Sequence, residues 1–353
     1  MFLVFVLAAL PVCTSQRPVA ELPRAPQAST QPALSEVADY PPGVPTEFWE
    51  VDRVVDGDTI WIQHHGKLEK LRLLCVDTEE KLGVGTGSAS KPGTVFGETC
   101  ALWAQEFFAG LAAKGAKPKV GLYFPGGREQ RDAFGRLLCH VILPDGRDFN
   151  LLLVEEGKSP YFNKYGNSLA AHQLFLAAQM RATVAQKGIW NPKTNVPESE
   201  TAPSARRPYE LLLPWWNARA AAIDGFRERE RKGTDNVADA ENPASLKAAA
   251  ERAGEVEVFG TIERLFDEKS GDWTLLLRGE DKQAQLRVRV PKEKRAAFAK
   301  FDLEHLHEEN RQNYLWVRGK LKAGSRGFEL EALDPAQLRI ADPQYGSSPP
   351  ARK

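Results

Sequence analysis

Short strand-forming segments, each ending near glycine, proline or aspartate, recur in two blocks of this chain and restrict its fold more than any other feature. In the first block they are EFWEVDRVV, TIWIQHH, KLRLLCV, KPKVGLYF and GRLLCHVIL. One amphipathic segment, GETCALWAQEFFAGLAAK, interrupts them after the third strand, with Leu102, Phe107 and Leu111 at helical spacing. Five short strands with one intervening helix favour a small closed barrel.

The second block repeats this pattern from Glu255 onward. Its strand-like segments are EVEVFGTIERLF, DWTLLLRG, AQLRVRVP, NYLWVRGKLKAG and GFELEAL, with the helical segment KEKRAAFAKF before the fourth. The predicted fold class is therefore mainly β with α (α+β). We expect an OB-fold five-stranded barrel, a second OB-like barrel, and a helical connector between them.

Shifts in composition divide the chain into six regions. An apolar run from Phe2 to Val12 has the length of a signal-peptide core, and a Pro/Ala/Ser/Thr-rich stretch follows it. We expect a secreted, periplasmic or cell-envelope protein; an uncleaved N-terminal anchor or a lipid at Cys13 is the alternative. The predicted regions are a signal peptide (1–15), a disordered leader (16–46), a first domain (47–193), a linker and connector (194–254), an OB-like domain (255–341) and a disordered tail (342–353).

The balanced charge excludes the class of strongly basic proteins that attract polyanions over their whole surface. Lys+Arg and Asp+Glu both number 47, so nucleic-acid binding would depend on local patches. After the N-terminal segment, no stretch is long and apolar enough to predict a membrane span.

The cysteines and histidines give weaker signals. Cys75 and Cys139 lie in apolar runs that predict buried thiols, although a disulfide between them stays open, as does the state of Cys100. His64 and His65 fall at a hairpin turn, where structural or solvated histidines are commoner than metal ligands.

Acidic residues beside apolar strands are the clearest functional signal. DGDT places Asp58 before a strand, and VDTEE places Asp77 after one; each alone is most simply a turn. Between them, Arg72 lies in the otherwise apolar LRLLCV, where its charge must reach solvent or an anion. Arg136, in RDAFGR, begins another strand and could reach the same end of the barrel. Acids and arginines on one rim suit a hard cation and a phosphate.

In this order, VDGDTI, LRLLCVDTEE and DAFGR, followed by LVEEG and a helix ending in GIW, resemble the staphylococcal nuclease (thermonuclease) family. The resemblance covers about residues 49–191. It implies a Ca²⁺-dependent phosphodiester endonuclease that acts on DNA and RNA, with single-stranded or denatured nucleic acid preferred.

The resemblance also implies roles for individual residues. Asp58, Asp77 and the carbonyl of Thr78 would hold Ca²⁺, and Glu80 would activate water. Arg72 and Arg136 would bind the scissile phosphate, while Tyr165, and with it Tyr161, would pack against the nucleotide. The family's Thr-Pro-Glu is here Thr78-Glu79-Glu80, so Glu79 is a second candidate base, although the spacing favours Glu80.

Two alternatives accompany this interpretation. The barrel could be a non-catalytic nucleic-acid or protein-binding module, or the second barrel could bind a protein partner whose identity the sequence does not give. The second barrel could also bind single strands through a basic groove with aromatic stacking platforms. The candidate aromatics are Trp273, Phe298, Phe301, Tyr314, Trp316 and Phe328.

Overall fold

The first five strands close into a barrel, as predicted. This computed structural model describes residues 40–83, 91–132, 134–196, 207–233, 236–279, 282, 284–301, 303 and 314–340. The barrel runs in the order β1-β2-β3-β5-β4, with β3 and β5 parallel and the other neighbours antiparallel. Its strands are β1 (Trp49–Val54), β2 (Ile60–His64), β3 (Lys67–Leu73), β4 (Lys119–Tyr123) and β5 (Leu137–Ile142).

Three helices cover this barrel: α1 (Val95–Gly110), α2 (Phe149–Glu155) and α3 (His172–Val184). Thr94 caps α1 by accepting a hydrogen bond from the Gly97 amide at 2.9 Å. We expected Leu102 on the apolar face of α1, but it is 57% exposed, so this part of the prediction was wrong. Ala101, Ala104 and Phe108 face the core instead, since small side chains let the helix approach the barrel closely.

The second block repeats much of the strand pairing of the first, but in the described residues it forms an eight-stranded sheet, whereas the first is a closed barrel. Strands β7, β8 and β9 pair antiparallel in turn, β9 pairs parallel with β12, and β10 returns to β7. The predicted fourth strand is divided into β10 and β11, and β13 adds an edge beside β10. The elements are β7 (Val256–Asp267), β8 (Trp273–Leu277), β9 (Leu286–Val290), α6 (Arg295–Phe298), β10 (Tyr314–Gly319), β11 (Lys322–Gly324), β12 (Gly327–Glu331) and β13 (Leu338–Ile340).

The connector is helical, but it also supplies a strand. It contains α4 (Tyr209–Lys232), β6 (Val237–Asp239) and α5 (Pro243–Ala250). Strand β6 pairs parallel with β7, so the connector extends the second sheet. Gly233 ends α4 with a left-handed conformation (φ 63°), which glycine adopts without strain.

The end of the predicted disordered leader packs against the first barrel. Tyr40 contributes to the barrel core, and its hydroxyl donates to the buried Asp148 and lies 2.9 Å from His140 Nδ1. Pro45 lies against Gly121 of β4, where an added Cβ would approach it to 2.4 Å. The predicted signal peptide, the earlier leader and the tail lie outside the described residues.

Among the described residues, no helix has both the length and the apolar character needed to cross a membrane. Cys75, Cys100 and Cys139 are free thiols, and the last two are buried.

We expect Tyr40→Phe to lower the free energy of unfolding by about 1–3 kcal/mol, because it removes the hydroxyl that donates to the buried Asp148 carboxylate. Urea denaturation of the full chain measures this loss. Tyr123→Phe is the control, since it removes a hydroxyl from the neighbouring ring, whose centroid lies 5.4 Å from that of Tyr40. Equal losses from both variants would contradict the contact at Tyr40.

Candidate active site

Asp58 is fixed in a buried turn between β1 and β2. Asp58 is only 5% exposed. The preceding Gly57 has no side chain, which allows Cys100 of α1 and Thr78 after β3 to pack closely against this turn. A Cβ at Gly57 would lie 2.6 Å from both Cys100 Sγ and Thr78 Cγ2. This packing therefore holds the Asp58 carboxylate at the rim of the barrel.

Arg72 joins the two predicted acids directly. It lies on β3 and donates from Nη1 to Asp58 Oδ2 and from Nη2 to Asp77 Oδ1, both at 2.9 Å. The Thr78 amide also donates to Asp58 Oδ2, at 3.1 Å. Burial would lower the pKa of Arg72, but the two carboxylates outweigh burial and raise it. The structure thus brings Asp58, Arg72, Asp77 and Thr78 together.

Asp77 has two further cationic partners that we did not predict. Lys91 Nζ lies 3.1 Å from Asp77 Oδ1. Arg207 donates from Nη2 to Asp77 Oδ2 and from Nη1 to the Asp77 carbonyl, the latter at 3.0 Å. Burial would raise the pKa of Asp77, but Arg207, Lys91 and Arg72 outweigh it and hold the pKa well below its usual range.

Arg207 is the last residue of the stretch from Lys193 that its composition predicts to be a linker. It is 3% exposed and lies two residues before α4, and its contacts with Asp77 place its side chain at the rim of the first barrel. No local pattern marks it, because a Pro/Ser-rich segment gives no sign of a contact 130 residues away. The contact of Lys91 could not be predicted either, because Lys91 lies in a segment rich in Gly, Ser and Lys that has no regular pattern.

Glu79 is a structural residue here. Its carboxylate is buried and accepts hydrogen bonds from Thr94 Oγ1 (2.5 Å), Asn195 Nδ2 (2.7 Å) and the Tyr209 hydroxyl (3.1 Å). Three donors leave little capacity for a proton-transfer role. Glu80 has a side chain 21% exposed, 2.8 Å from Lys91 Nζ. The geometry therefore favours Glu80 over Glu79 as the candidate base.

Negative charge is concentrated on the Asp56 side of the site. The Asp58 amide donates to Asp56 Oδ1 at 3.2 Å. Burial, followed by the charges of Asp58 and Glu80, raises the pKa of Asp56 to about 7. This means that the neighbouring cations do not fully compensate the acids at this position.

A hard divalent cation fits this donor chemistry. The ionised form of Asp56, whose pKa is raised, would be stabilised by added positive charge, and oxygen atoms are the ligands that Ca²⁺ prefers. At Asp77, however, both carboxylate oxygens already accept hydrogen bonds from cationic side chains. The fit is therefore best at Asp56 and Asp58, and ligation by Asp77 stays a prediction.

Arg136 makes its contacts within its own loop. It precedes Leu137, which pairs with Leu71 on β3, so its backbone starts the strand beside Arg72. Its side chain donates from Nε to Asp132 Oδ2 at 2.6 Å and lies over the Phe134 ring at 5.4 Å. The expected approach of both arginines to one phosphate would require the Arg136 side chain to leave Asp132.

The two predicted nucleotide-binding tyrosines differ in exposure. Tyr161 is 1% exposed, stacks on Phe175 at 5.2 Å and accepts a hydrogen bond from the Ser168 amide, so it packs in the core. This placement argues against direct contact with a nucleotide, because the core would have to open. Tyr165 is 56% exposed, and its ring is available at the surface.

The proposed stacking platforms of the second barrel are mostly core residues. Phe301 is half-buried, and the others are at most 9% exposed: Trp273, Phe298, Tyr314, Trp316 and Phe328. Their faces are already covered, for instance by Arg229 and Arg339 over Trp316 at 4.7 and 5.0 Å. The structure gives no support to stacking on this set.

Comparison with known proteins identifies relatives of the first barrel. Residues 70–192 match the family model described as staphylococcal nuclease homologue. The thermonuclease of Staphylococcus intermedius is 32% identical over 149 residues, which are 41% of this chain and 76% of that protein. An uncharacterized endonuclease of Escherichia coli O157:H7 is 28% identical over 147 residues, which are 42% of this chain and 79% of that protein.

One relative matches a longer part of this chain. Endonuclease YhcR of Bacillus subtilis (strain 168) is 32% identical over 229 residues, or 64% of this chain. The matched region is only 16% of the length of that protein.

We expect Asp56→Asn to stabilise the protein in chelator at high pH only. The Asp56 carboxyl binds its proton more tightly in the folded protein than in the unfolded chain. The unfolding free energy of the wild type therefore falls as the pH rises from about 4 to 7. The variant should gain about 2–4 kcal/mol above pH 7 and nothing below pH 4, measured by urea denaturation at several pH values. Asp52→Asn, outside the cluster, is the control. A constant offset at every pH would refute the assignment.

We expect Arg207→Met to lower the unfolding free energy by about 3 kcal/mol or more, because it removes a buried partner of Asp77. Denaturation of the full chain measures this. Arg231→Met is the matched control, since Arg231 ends α4 in an exposed ion pair with Glu228 and should matter little. Equal losses of unfolding free energy in both variants would contradict the buried contact between Arg207 and Asp77.

Proposed function

This chain belongs to the staphylococcal nuclease family, and from that premise we propose that it is a Ca²⁺-dependent endonuclease hydrolysing phosphodiester bonds in DNA and RNA. The observation that carries the proposal is the buried Arg72 bridge between Asp58 and Asp77, beside uncompensated charge at Asp56. Such a site combines a guanidinium fork for phosphate with oxygen ligands for a cation.

Asp58, with the Thr78 carbonyl and Asp77, would hold the cation. When bound, Ca²⁺ supplies a Lewis acid that polarises a phosphoryl oxygen. The contribution of Asp77 would require Lys91 or Arg207 to release one of its oxygens. Asp56 would gain from the added positive charge without having to contact the ion.

The remaining roles follow from charge and exposure. Arg72 would place a guanidinium where negative charge grows in the transition state, and Arg136 would join it after leaving Asp132. Glu80 would accept the proton of the attacking water, and the adjacent Lys91 keeps its carboxylate in place. Tyr165 would offer its exposed ring to a nucleotide.

The proposal includes a preference for single-stranded or denatured nucleic acid. The Arg72 side chain is only 16% exposed, so the scissile phosphate must enter a recess at the barrel rim. A single flexible strand can bend its backbone into such a recess more easily than a duplex. We also propose that the enzyme is exported and acts outside the cytoplasm, on the basis of the apolar run at residues 2–12.

We expect digestion of denatured DNA and of RNA in Ca²⁺, and none in chelator. Arg72→Lys, Arg136→Ala and Glu80→Gln should each reduce the rate about a hundredfold or more, the usual loss for one placed charge. Lysine should not rescue Arg72, because it lacks the fork. Cleavage products resolved on gels, with initial rates, measure these effects.

Arg128→Ala is the matched control for Arg136. Arg128 lies in the same loop and is exposed, so the variant should cleave at nearly the wild-type rate. Cleavage that survives both chelation and the three substitutions would disprove the mechanism. Binding of oligonucleotides without any cleavage would instead favour the non-catalytic module.

A further inference from the structure

Three potential metal ligands meet at the turn between β2 and β3. One nitrogen each from His64 and His65 and one carboxylate oxygen of Glu129 all lie within 4.8 Å of one another. Across the described part of the chain, no other three His, Cys, Asp or Glu residues bring their ligand atoms so close. This cluster is unused by the proposed nuclease chemistry.

The two histidine rings are held side by side by the backbone and by Trp49. His64 is the last residue of β2, and His65 opens the turn with φ 49°, followed by Gly66 with φ 75°. Positive φ at both positions matches a type I′ turn, which fits the strand twist. The ring centroids of His64 and His65 lie 4.3 Å apart, and Trp49 packs edge-on against them at 4.4 and 4.6 Å.

Glu129 is brought to the histidines by the loop between β4 and β5. In that loop, Arg131 donates two hydrogen bonds to Glu69 on β3, at 2.8 and 2.9 Å. The Leu138 amide donates to the Gln130 carbonyl at 2.9 Å, which ties the other side of the loop to β5. The charge of Arg131 is thus matched by Glu69, and the position of Glu129 does not depend on a metal.

The spacing suits a tetrahedral ion. Bonds of about 2.0–2.2 Å to nitrogen and oxygen place neighbouring ligand atoms roughly 3.3–3.6 Å apart. His64 Nε2 and Glu129 Oε1 are separated by 3.6 Å, so this pair matches one edge of such a tetrahedron. His65 and Glu129 are exposed, which gives an ion and a fourth water ligand access.

The ligand types select a borderline metal. Two imidazoles and one carboxylate suit Zn²⁺, Co²⁺, Ni²⁺ or Cu²⁺, whereas Ca²⁺ prefers an all-oxygen shell. Asp58 precedes β2 and His64 ends it, and the four residue steps from Ile60 to His64 span roughly 13 Å at strand spacing. The cluster is therefore separate from the proposed Ca²⁺ site.

We propose that His64, His65 and Glu129 form a zinc-type metal site that ties the β2–β3 turn to the β4–β5 loop. The ion would link the turn that carries His64 and His65 to the loop that carries Glu129. Because the same loop leads to Arg136, a bound ion restrains the segment that carries this predicted phosphate ligand.

Titration calorimetry of the full chain with Zn²⁺, in saturating Ca²⁺ and a reductant, tests the site. We expect one Zn²⁺ per chain, a higher melting temperature with Zn²⁺, and at least tenfold weaker binding in His65→Asn and in Glu129→Gln. Asparagine tolerates the positive φ of position 65, so the first variant should keep the turn. Co²⁺ should give the visible bands of tetrahedral nitrogen and oxygen ligation.

His305→Asn/His307→Asn is the control, since this His-Leu-His segment is the other close histidine pair in the sequence. The double variant should bind Zn²⁺ as tightly as the wild type. Loss of binding in it, equal binding in His65→Asn, or a thiolate charge-transfer band with Co²⁺ would each overturn the proposal. These measurements need no substrate, so failure of nuclease activity would leave their outcome unaffected.

Discussion

The buried carboxylate of Asp77 is the group on which the site and the connector both depend. An ionised carboxylate out of water is stable only with charged or hydrogen-bonding partners, and losing one partner costs several kcal/mol. Here the partners come from three separate segments: Arg72 on β3, Lys91 from the following loop, and Arg207 before α4. Described residues beyond the first barrel, namely Asn195, Arg207 and Tyr209, therefore complete the hydrogen bonding of Asp77 and Glu79 at its rim.

Helix α4 extends this dependence to the second barrel. Near its start, Trp216 packs edge-on against Phe162 of the first domain at 4.8 Å. Further along, Phe226 stacks on Phe259 of β7 at 4.9 Å. Between them, the buried Arg219 lies over the Tyr314 ring of β10 at 4.5 Å. One helix, α4, therefore packs against both the first barrel and the second sheet.

The sequence predicted the parts of this protein that local patterns encode. Alternating segments predicted the five strands of the first barrel and most strands of the second sheet, and helical spacing predicted most helices. The acids around Arg72 were correctly expected to meet, because they flank one hairpin. Long-range contacts gave no such signal. Arg207 lies in a stretch whose composition indicates a linker, and Tyr161 becomes a core residue only because Phe175 of α3 packs against it. The apolar residue Leu102 was misplaced for a related reason, since alanines allowed α1 to turn a different face inward.

The site therefore has two parts with different electrostatics, one around Asp77 and one around Asp56. Around Asp77, three cations outweigh the effect of burial, and the carboxylate stays ionised as part of the fold. Around Asp56, burial and then the charges of Asp58 and Glu80 raise the pKa of the carboxyl, so added positive charge would stabilise its ionised form. A cation bound as proposed would be repelled by Lys91 and Arg207 near Asp77 and attracted by the acids near Asp56. Arg72, which donates to both Asp58 and Asp77, links the two halves of the site.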